Sequence, residues 1–239
     1  MGSNSRWSAM MPPVTKHLII INAIMWVATI LLKMRGLIDL DTILGLHYWQ
    51  GSDFHLYQFF TYMFMHDSSG FSTGLTHIFF NMFSLWMFGM LLERVMGAKR
   101  YLFFYISCGL GAALVQELVW QFSIGDLSGY SGVNTGSEVI TVNQFYNLLI
   151  TVGASGAVFG ILLAFGMLFP NMPLYIMFIP IPVKAKWAVL GYGLIELFFG
   201  VTGSMDNVAH FAHLGGMLFA FIILIYWKKK GVFDRNHGF

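Results

Sequence analysis

The sequence predicts an all-α polytopic membrane protein, a bundle of six transmembrane helices with a long interfacial first loop. Two of the supporting observations concern composition, and the third is a set of six apolar runs. Hydrophobic residues make up 57% of the 239 residues and charged residues 10%, against roughly 45–50% and about 25% in ordinary soluble domains. The mean hydropathy is +0.68. A soluble domain of this length has too small an interior for so many apolar side chains, so we expect many of them to face lipid.

The six apolar runs approach the length of about 20 residues that crosses a bilayer. They are Leu18–Leu32, Leu75–Leu92, Tyr101–Trp120, Leu148–Phe169, Trp187–Gly203 and Val208–Trp227. The first run is short, and glycines and Glu196 interrupt the fifth. We therefore expect a cytoplasmic N-terminal segment over residues 1–17, a membrane domain over 18–227 and a basic cytoplasmic tail over 228–239.

The segments between the runs differ in character. Lys33–Gly74 carries apolar and aromatic clusters, which predict an element lying in the membrane interface. Phe122–Asn147 is rich in Gly, Ser and Asn and predicts a flexible aqueous loop. Met1–Lys16 is polar and contains proline, so no signal peptide is expected there. The single cysteine, Cys108, excludes an internal disulfide framework.

The distribution of positive charge predicts the orientation of the bundle. With six spans both termini share one side, and the opposite side carries only Lys33 and Arg35. We expect the termini to be cytoplasmic. The net charge of +2 is too small to suggest a nucleic-acid partner. The basic residues on the side of the termini are Arg6, Lys16, Arg94, Lys99, Arg100, Lys184, Lys186, Lys228, Lys229, Lys230 and Arg235.

Two short motifs place a hydroxyl and an imidazole inside separate apolar runs. Ser155 lies in Gly153-Ala154-Ser155-Gly156, and His213 lies in Ala212-His213-Leu214-Gly215-Gly216. Ionisable groups within membrane segments are costly and suggest a functional site. The predicted orientation puts both residues near the outer end of their spans. Small residues spaced four apart on each span permit close helix approach, which would bring the two side chains within hydrogen-bond reach.

A third pair of polar residues lies on the second span. His77 and Asn81 are four residues apart and so share one helix face, in the outer half of that span. Amide hydrolysis needs a nucleophile, a base and donors aimed at the oxyanion. Ser155, His213 and this face together can supply all three.

These motifs resemble those of the rhomboid intramembrane serine proteases, which carry GxSG, AHxxG and HxxxN. The similarity covers the second to sixth spans and the first loop. It implies that Ser155 is the nucleophile and His213 the general base and later the general acid. It also implies that His77, Asn81 and the Ser155 N–H hold the oxyanion. Phe159 occupies the position where relatives stack an aromatic ring on the catalytic imidazole.

The resemblance further implies hydrolysis of peptide bonds in or near transmembrane segments of other membrane proteins, with no cofactor and no metal. The expected partners are transmembrane protein substrates and membrane lipids, and the expected location is a bacterial inner membrane. The fifth span would act as a gate beside the second, with hinge freedom at Gly200 and Gly203, under a cap over Gly200–Asn207. Tyr57-Gln58 departs from the Trp-Arg of many bacterial relatives, which puts the anchoring of the first loop in question.

Other interpretations remain open at this point. A catalytically silent rhomboid-like protein would bind membrane clients, although the intact serine and histidine argue against it. A transporter would line both halves of the bundle with polar groups, whereas these motifs gather in the outer half. Neither the natural substrate nor the oligomeric state is encoded in these patterns.

The remaining polar residues inside the spans also have alternative interpretations. His210 and His213 with Glu196 and Asp206 could ligate zinc, but no HExxH or cysteine pattern supports this. For Glu196 and Glu117 we expect structural hydrogen bonding or protonation rather than catalysis, and no third acidic residue is assigned to the site. Glu93-Arg94 is expected to form an interfacial pair.

Overall fold

The computed structural model of the protein describes residues 11–175, 181–203 and 209–232. Arg6, Arg235, Asp206 and half of the expected cap over Gly200–Asn207 (residues 204–207) lie outside these ranges. The α-helices in chain order are α1 (Pro13–Met34), α2 (Leu40–Leu44), α3 (Gln58–Thr61), α4 (Phe71–Ser84), α5 (Met90–Met96), α6 (Ala98–Ile124), α7 (Val142–Leu148), α8 (Ser155–Leu168), α9 (Ala185–Thr202) and α10 (His210–Lys229).

Short irregular and extended segments connect these helices. A 3₁₀ turn over Tyr62–Phe64 follows α3, and a π-helical turn over Leu85–Gly89 joins α4 to α5 without a break. Three antiparallel pairs of two-residue strands complete the structure. They are β1 (Leu46–His47) with β4 (Ile150–Thr151), β2 (Val133–Asn134) with β3 (Val139–Ile140), and β5 (Pro173–Leu174) with β6 (Val183–Lys184).

Five of the described helical stretches are long and apolar enough to cross a membrane, namely residues 13–34, 71–96, 98–124, 185–202 and 210–229. The chain is therefore a multi-pass, mostly helical membrane protein. The remaining apolar helix, α8, has 14 residues, which gives it a length of about 21 Å, shorter than a hydrocarbon core of about 30 Å. The count of six spans stays a prediction.

The predicted fourth span is wrong at its start. Leu148 ends α7, and β4 and a buried loop intervene before α8 begins at Ser155. The run stays apolar there because the loop is packed inside the protein, with Ala154 fully buried. Non-helical backbone is tolerated at membrane depth where protein surrounds it.

Small residues bring α8 into close contact with α10, as the sequence predicts, and also with α6. A β-carbon on Gly216 would overlap the carbonyl oxygen of Gly156, and one on Gly156 would overlap Ala112. One on Gly160 would lie 2.7 Å from the sulfur of Cys108. Backbones can approach this closely only without side chains between them.

The first loop is more deeply packed than an interfacial element alone would be. Leu46, Tyr48 and Met63 from its apolar clusters are fully buried in the protein, whereas Leu56 and Phe60 are exposed. The clusters therefore serve two purposes, since some side chains join the core and others remain on the surface. The prediction of an interfacial element fits only the second group.

Gln58 anchors this loop, although the Tyr57-Gln58 pair had put that anchoring in question. Its side chain is 1% exposed. Its Oε1 accepts hydrogen bonds from the backbone N–H groups of His47, at 3.4 Å, and His55, at 3.0 Å. Its Nε2 donates to the carbonyl oxygens of Ile43, at 3.3 Å, and Asp53, at 2.9 Å. A neutral amide can satisfy backbone donors and acceptors together, so the loop is held without a cation.

The predicted flexible loop over Phe122–Asn147 contains regular structure. Helix α6 continues to Ile124, the β2–β3 hairpin follows, and α7 begins with a capping box. Thr141 Oγ1 accepts from the N–H of Gln144 at 3.2 Å, and Gln144 Oε1 accepts from the N–H of Thr141 at 2.9 Å. This reciprocal pairing fixes the start of α7.

Candidate active site

Ser155 is the first residue of α8 and follows a turn that requires glycine. Gly153 has a φ of +137°, a conformation that side-chain-bearing residues rarely adopt. Its N–H donates to the carbonyl oxygen of Tyr62 at 2.9 Å. The first N–H groups of a helix have no acceptor within the helix, so the Ser155 N–H is free to bind an anion at the positive end of the helix dipole.

His213 lies in the first turn of α10 and faces the start of α8. Its Nε2 is 2.7 Å from Ser155 Oγ, so the structure brings together the serine and histidine of the two motifs. The close contact of Gly216 with the Gly156 carbonyl sets the spacing of the two helices that carry them. The His213 side chain is 9% exposed, so little water competes for this hydrogen bond.

Phe159 packs against the His213 ring as expected from the motif. The two ring centroids are 4.3 Å apart and the planes are inclined by only 7°. Phe159 is one helical turn after Ser155 on α8, so the helix that carries the serine also restricts the imidazole. The stack leaves the ring nitrogens of His213 free to form hydrogen bonds in the ring plane.

His77 on α4 borders the space beside Ser155. The N–H of Asp67 donates to its Nδ1 at 3.4 Å, so the neutral ring carries its proton on Nε2. A β-carbon built on Gly153 would lie 3.1 Å from that Nε2 and 3.5 Å from Ser155 Oγ. Both atoms therefore face the same small space next to Gly153.

Asn81 lies one turn further along α4 and is buried. Its Nδ2 donates one hydrogen to the carbonyl oxygen of His77 at 3.0 Å, and the second amide hydrogen remains available. Among the described residues, no hydrogen bond joins Asn81 to Ser155. The loop before α4 adds another imidazole, since the His66 ring centroid lies 5.1 Å from that of His77. Burial lowers the pKa of His66 to about 3, so this ring is neutral at physiological pH.

Glu196 on α9 joins the site through hydrogen bonds, whereas the sequence suggested it there only as a conceivable zinc ligand. Its Oε2 accepts hydrogen from His213 Nδ1 at 2.9 Å and from His210 Nδ1 at 2.7 Å. The Glu196 side chain is only 13% exposed. The signal available in the sequence was a carboxylate inside an apolar run, which is costly in a membrane and needs a partner.

The same three side chains form a cluster that could hold a metal ion, with ligand atoms within 4.8 Å of one another. Two ligands held tetrahedrally by zinc stand about 3.3 Å apart at ordinary zinc–ligand distances. The carboxylate oxygen is closer than this to both imidazole nitrogens. The spacing therefore fits hydrogen bonds better than shared coordination. Asp206, the fourth ligand considered from the sequence, lies outside the described residues.

The other carboxylates inside the helices have structural partners away from this site. Glu93 accepts hydrogen from the N–H groups of Val14, at 2.9 Å, and Thr15, at 2.7 Å, and so caps the start of α1. Glu117 Oε2 accepts from the N–H of Trp49 at 2.9 Å and ties the first loop to α6. The bond of Glu117 is the structural hydrogen bonding expected for that carboxylate. For Glu93 the expectation was an interfacial pair with Arg94, and its side chain is buried against the start of α1.

Comparison with known proteins gives one family. A family model described as the rhomboid domain matches residues 53–230. The chain is 32% identical over 164 residues to rhomboid protease AarA of Providencia stuartii, covering 63% of this chain and 50% of that protein. It is 29% identical over 170 residues to the chloroplastic rhomboid-like protein 16 of Arabidopsis thaliana, covering 70% of this chain and 49% of that protein. The chain thus spans about half the length of these two relatives.

Proposed function

Because this chain belongs to the rhomboid family, we propose that it is an intramembrane serine endopeptidase. It cleaves peptide bonds in or near the transmembrane segments of other membrane proteins. The observation that carries the proposal is the 2.7 Å separation of His213 Nε2 and Ser155 Oγ within a bundle of apolar helices. A hydroxyl bonded to an imidazole nitrogen is the arrangement that activates serine as a nucleophile.

The chemistry proceeds in two halves. Ser155 Oγ attacks the substrate carbonyl carbon while His213 Nε2 accepts the hydroxyl proton. The C–N bond then breaks, His213 gives its proton to the leaving amine, and an acyl ester remains on Ser155. Water attacks this ester with His213 again as the base, which releases the carboxylic acid product and restores the serine hydroxyl.

We assign the oxyanion to three donors around the start of α8. The Ser155 N–H has no acceptor within its helix, and the Nε2–H of His77 faces the space beside Gly153. Asn81 has one amide hydrogen left after its bond to the His77 carbonyl oxygen. Donors already in position when negative charge develops stabilise the transition state without reorganisation.

The proposed setting is a bacterial inner membrane with both termini in the cytoplasm, the membrane domain over residues 18–227 and the active site towards the outer face. The asymmetric distribution of Lys and Arg supports this orientation, and the likeness to a protease of Providencia stuartii supports a bacterial setting. The proposed partners are transmembrane substrates and the surrounding lipids.

The test compares purified wild type with Ser155→Ala and His213→Ala for cleavage of a model transmembrane substrate and for labelling by a fluorophosphonate probe. Both variants should lose labelling, with cleavage falling by about 10⁴- to 10⁶-fold as in other serine proteases. Ser107→Ala, which removes another hydroxyl from an apolar helix, is the matched control and should keep wild-type activity. Undiminished cleavage by Ser155→Ala would refute the assignment. Substrate binding by the wild type without labelling or cleavage would favour a client-binding protein.

A further inference from the structure

We propose that Glu196 is a positioning residue for His213, so that a third side chain orients the imidazole of the Ser155–His213 pair. This inference rests on the proposed protease function. Its starting point is that His213 is bonded through both ring nitrogens, Nε2 to Ser155 Oγ at 2.7 Å and Nδ1 to Glu196 Oε2 at 2.9 Å. One side of the ring therefore contacts the nucleophile and the other a buried carboxylate.

The carboxylate fixes which nitrogen of His213 carries the proton. A neutral imidazole has one donor and one acceptor nitrogen, and an ionised carboxylate only accepts. Because Nδ1 faces Glu196, Nδ1 must carry the hydrogen, which leaves a lone pair on Nε2 directed at the Ser155 hydroxyl. This is the tautomer that a general base needs, and the opposite tautomer cannot take the serine proton.

The carboxylate also stabilises the charge that the reaction creates. When His213 accepts the serine proton it becomes an imidazolium, 2.9 Å from an oxygen of opposite charge. Both side chains are mostly shielded, at 9% and 13% exposed, and interactions between charges are stronger there than in water. The contact is therefore stronger in the transition state than in the resting site, which is the condition for accelerating the reaction.

His210 supports the carboxylate from the other side. Its Nδ1 donates to the same Oε2 at 2.7 Å, and its Nε2 has no hydrogen-bond partner among the described residues. The Glu196 oxygen thus receives two N–H donors from α10, spaced by one helical turn. Charge-assisted hydrogen bonds of this kind stabilise the anionic form, so His210 holds Glu196 in place without touching Ser155.

The kinetic test uses Glu196→Gln and Glu196→Ala, with Glu117→Gln as the control that removes an intramembrane carboxylate bonded elsewhere. Glu196→Gln keeps the side-chain volume, so it tests the idea even where Glu196→Ala fails to fold. We expect kcat to fall by about 10⁴-fold with little change in KM, as when the acidic member of other serine-protease triads is lost. Glu117→Gln should keep wild-type kinetics.

A second measurement reads the tautomer without relying on activity. In protein labelled with ¹⁵N-histidine, the ring signals that disappear in His213→Ala identify His213, and their shifts distinguish Nδ1–H from Nε2–H. The wild type should show Nδ1–H, and Glu196→Ala should gain the Nε2–H form. A role in folding alone would lower the melting temperature without changing this tautomer.

The outcomes separate the two proposals. Glu196 variants with kcat within about threefold of wild type and an unchanged His213 tautomer would overturn the positioning role and leave the protease intact. Loss of activity on chelation, restored by zinc, would also overturn it, because the cluster would then be a metal site. Full cleavage by Ser155→Ala would instead overturn the protease assignment, whatever the tautomer of His213.

Discussion

His213 stands between two helix contacts of different kinds. On one side α10 meets α8 backbone to backbone, because Gly216 lies directly against the carbonyl of Gly156. On the other side α10 meets α9 through side chains. The Met217 side chain of α10, for example, lies over Gly193 of α9, where an added β-carbon would be 3.3 Å from its terminal carbon. The first contact carries Ser155, and the second carries Glu196.

The two neighbours of α10 also differ in how much of their surface is covered. Most residues of α8 are buried on all sides. In α9 the buried residues are Ala185, Ala188 and Val189, all near its start, whereas Leu194 and Phe198 on either side of Glu196 are more than half exposed. The serine–histidine distance thus depends on a close backbone contact, whereas the hydrogen bond to His213 Nδ1 comes from a helix with few buried residues. Expected gating by the fifth span would move the second contact and spare the first.

The largest expected effect comes from forcing the close backbone contact apart with Gly216→Ala. The added β-carbon would overlap the backbone of Gly156, and a backbone cannot swing aside as a side chain can. Overpacking of this kind costs about 1–3 kcal/mol of stability or more. We expect fluorophosphonate labelling of Ser155 to fall below detection, because α8 and α10 separate.

The control for that substitution is Leu218→Ala, on an exposed face of α10. Leu218→Ala should keep wild-type labelling and a melting temperature close to that of the wild type. Wild-type labelling by folded Gly216→Ala would contradict the claim that backbone contact sets the distance between Ser155 and His213.

An intermediate effect is expected from the aromatic rings on the two sides. Phe159→Leu removes the parallel stack on His213, whereas Phe199→Leu removes a tilted contact with His210 at a centroid distance of 5.6 Å. Aromatic pairs contribute about 0.5–1.5 kcal/mol beyond burial. We therefore expect kcat to fall roughly 2- to 12-fold in Phe159→Leu and to change little in Phe199→Leu. Equal losses of kcat in both variants would mean that the ring contacts of α8 and α9 contribute equally to the orientation of His213.

The difference between the two contacts also explains what the sequence could predict. Ser155 and His213 were predictable as partners because each stands in a short motif whose glycines specify close packing. The stacking of Phe159 was implied by the family resemblance, since Phe159 occupies the position where relatives stack an aromatic ring on the imidazole. The sequence placed Glu196 beside His213 only as a conceivable zinc ligand. Its hydrogen bond to His213 was not predictable, because the rotation of α9 against α10 decides which side chain meets the imidazole. No local pattern in α9 encodes that rotation.

The start of the fourth span was predicted wrongly, because an apolar run can form either a membrane helix or a loop buried inside the protein. The run from Leu148 reads as one span because a buried loop is as apolar as a membrane helix, and only the turn at Gly153 separates them. The Tyr57-Gln58 pair put the anchoring of the first loop in question. The Gln58 amide instead accepts from two backbone N–H groups and donates to two backbone carbonyl oxygens. The sequence does not show that the folded loop brings these four groups to Gln58.

The smallest expected effect concerns α9 itself and uses two glycines of that helix. Gly191→Ala adds a β-carbon with no heavy atom within 4 Å, whereas Gly193→Ala adds one in contact with Met217 on α10. Both gain helix propensity of up to about 1 kcal/mol, so a rise in melting temperature shared by the two reports on the helix alone. Any additional rise in Gly193→Ala reports on tighter packing of α9 against α10.

Tighter packing should slow only those steps in which α9 moves. We expect Gly193→Ala to react with the small fluorophosphonate probe at the wild-type rate and to cleave a bilayer-embedded substrate more slowly than the wild type, because substrate entry requires the gate to move. Gly191→Ala should match the wild type in both assays, because its β-carbon points into open space. If Gly193→Ala raises the melting temperature and leaves cleavage in bilayers unchanged, α9 does not move during substrate entry. The contact between α9 and α10 would then serve only to carry Glu196 to His213.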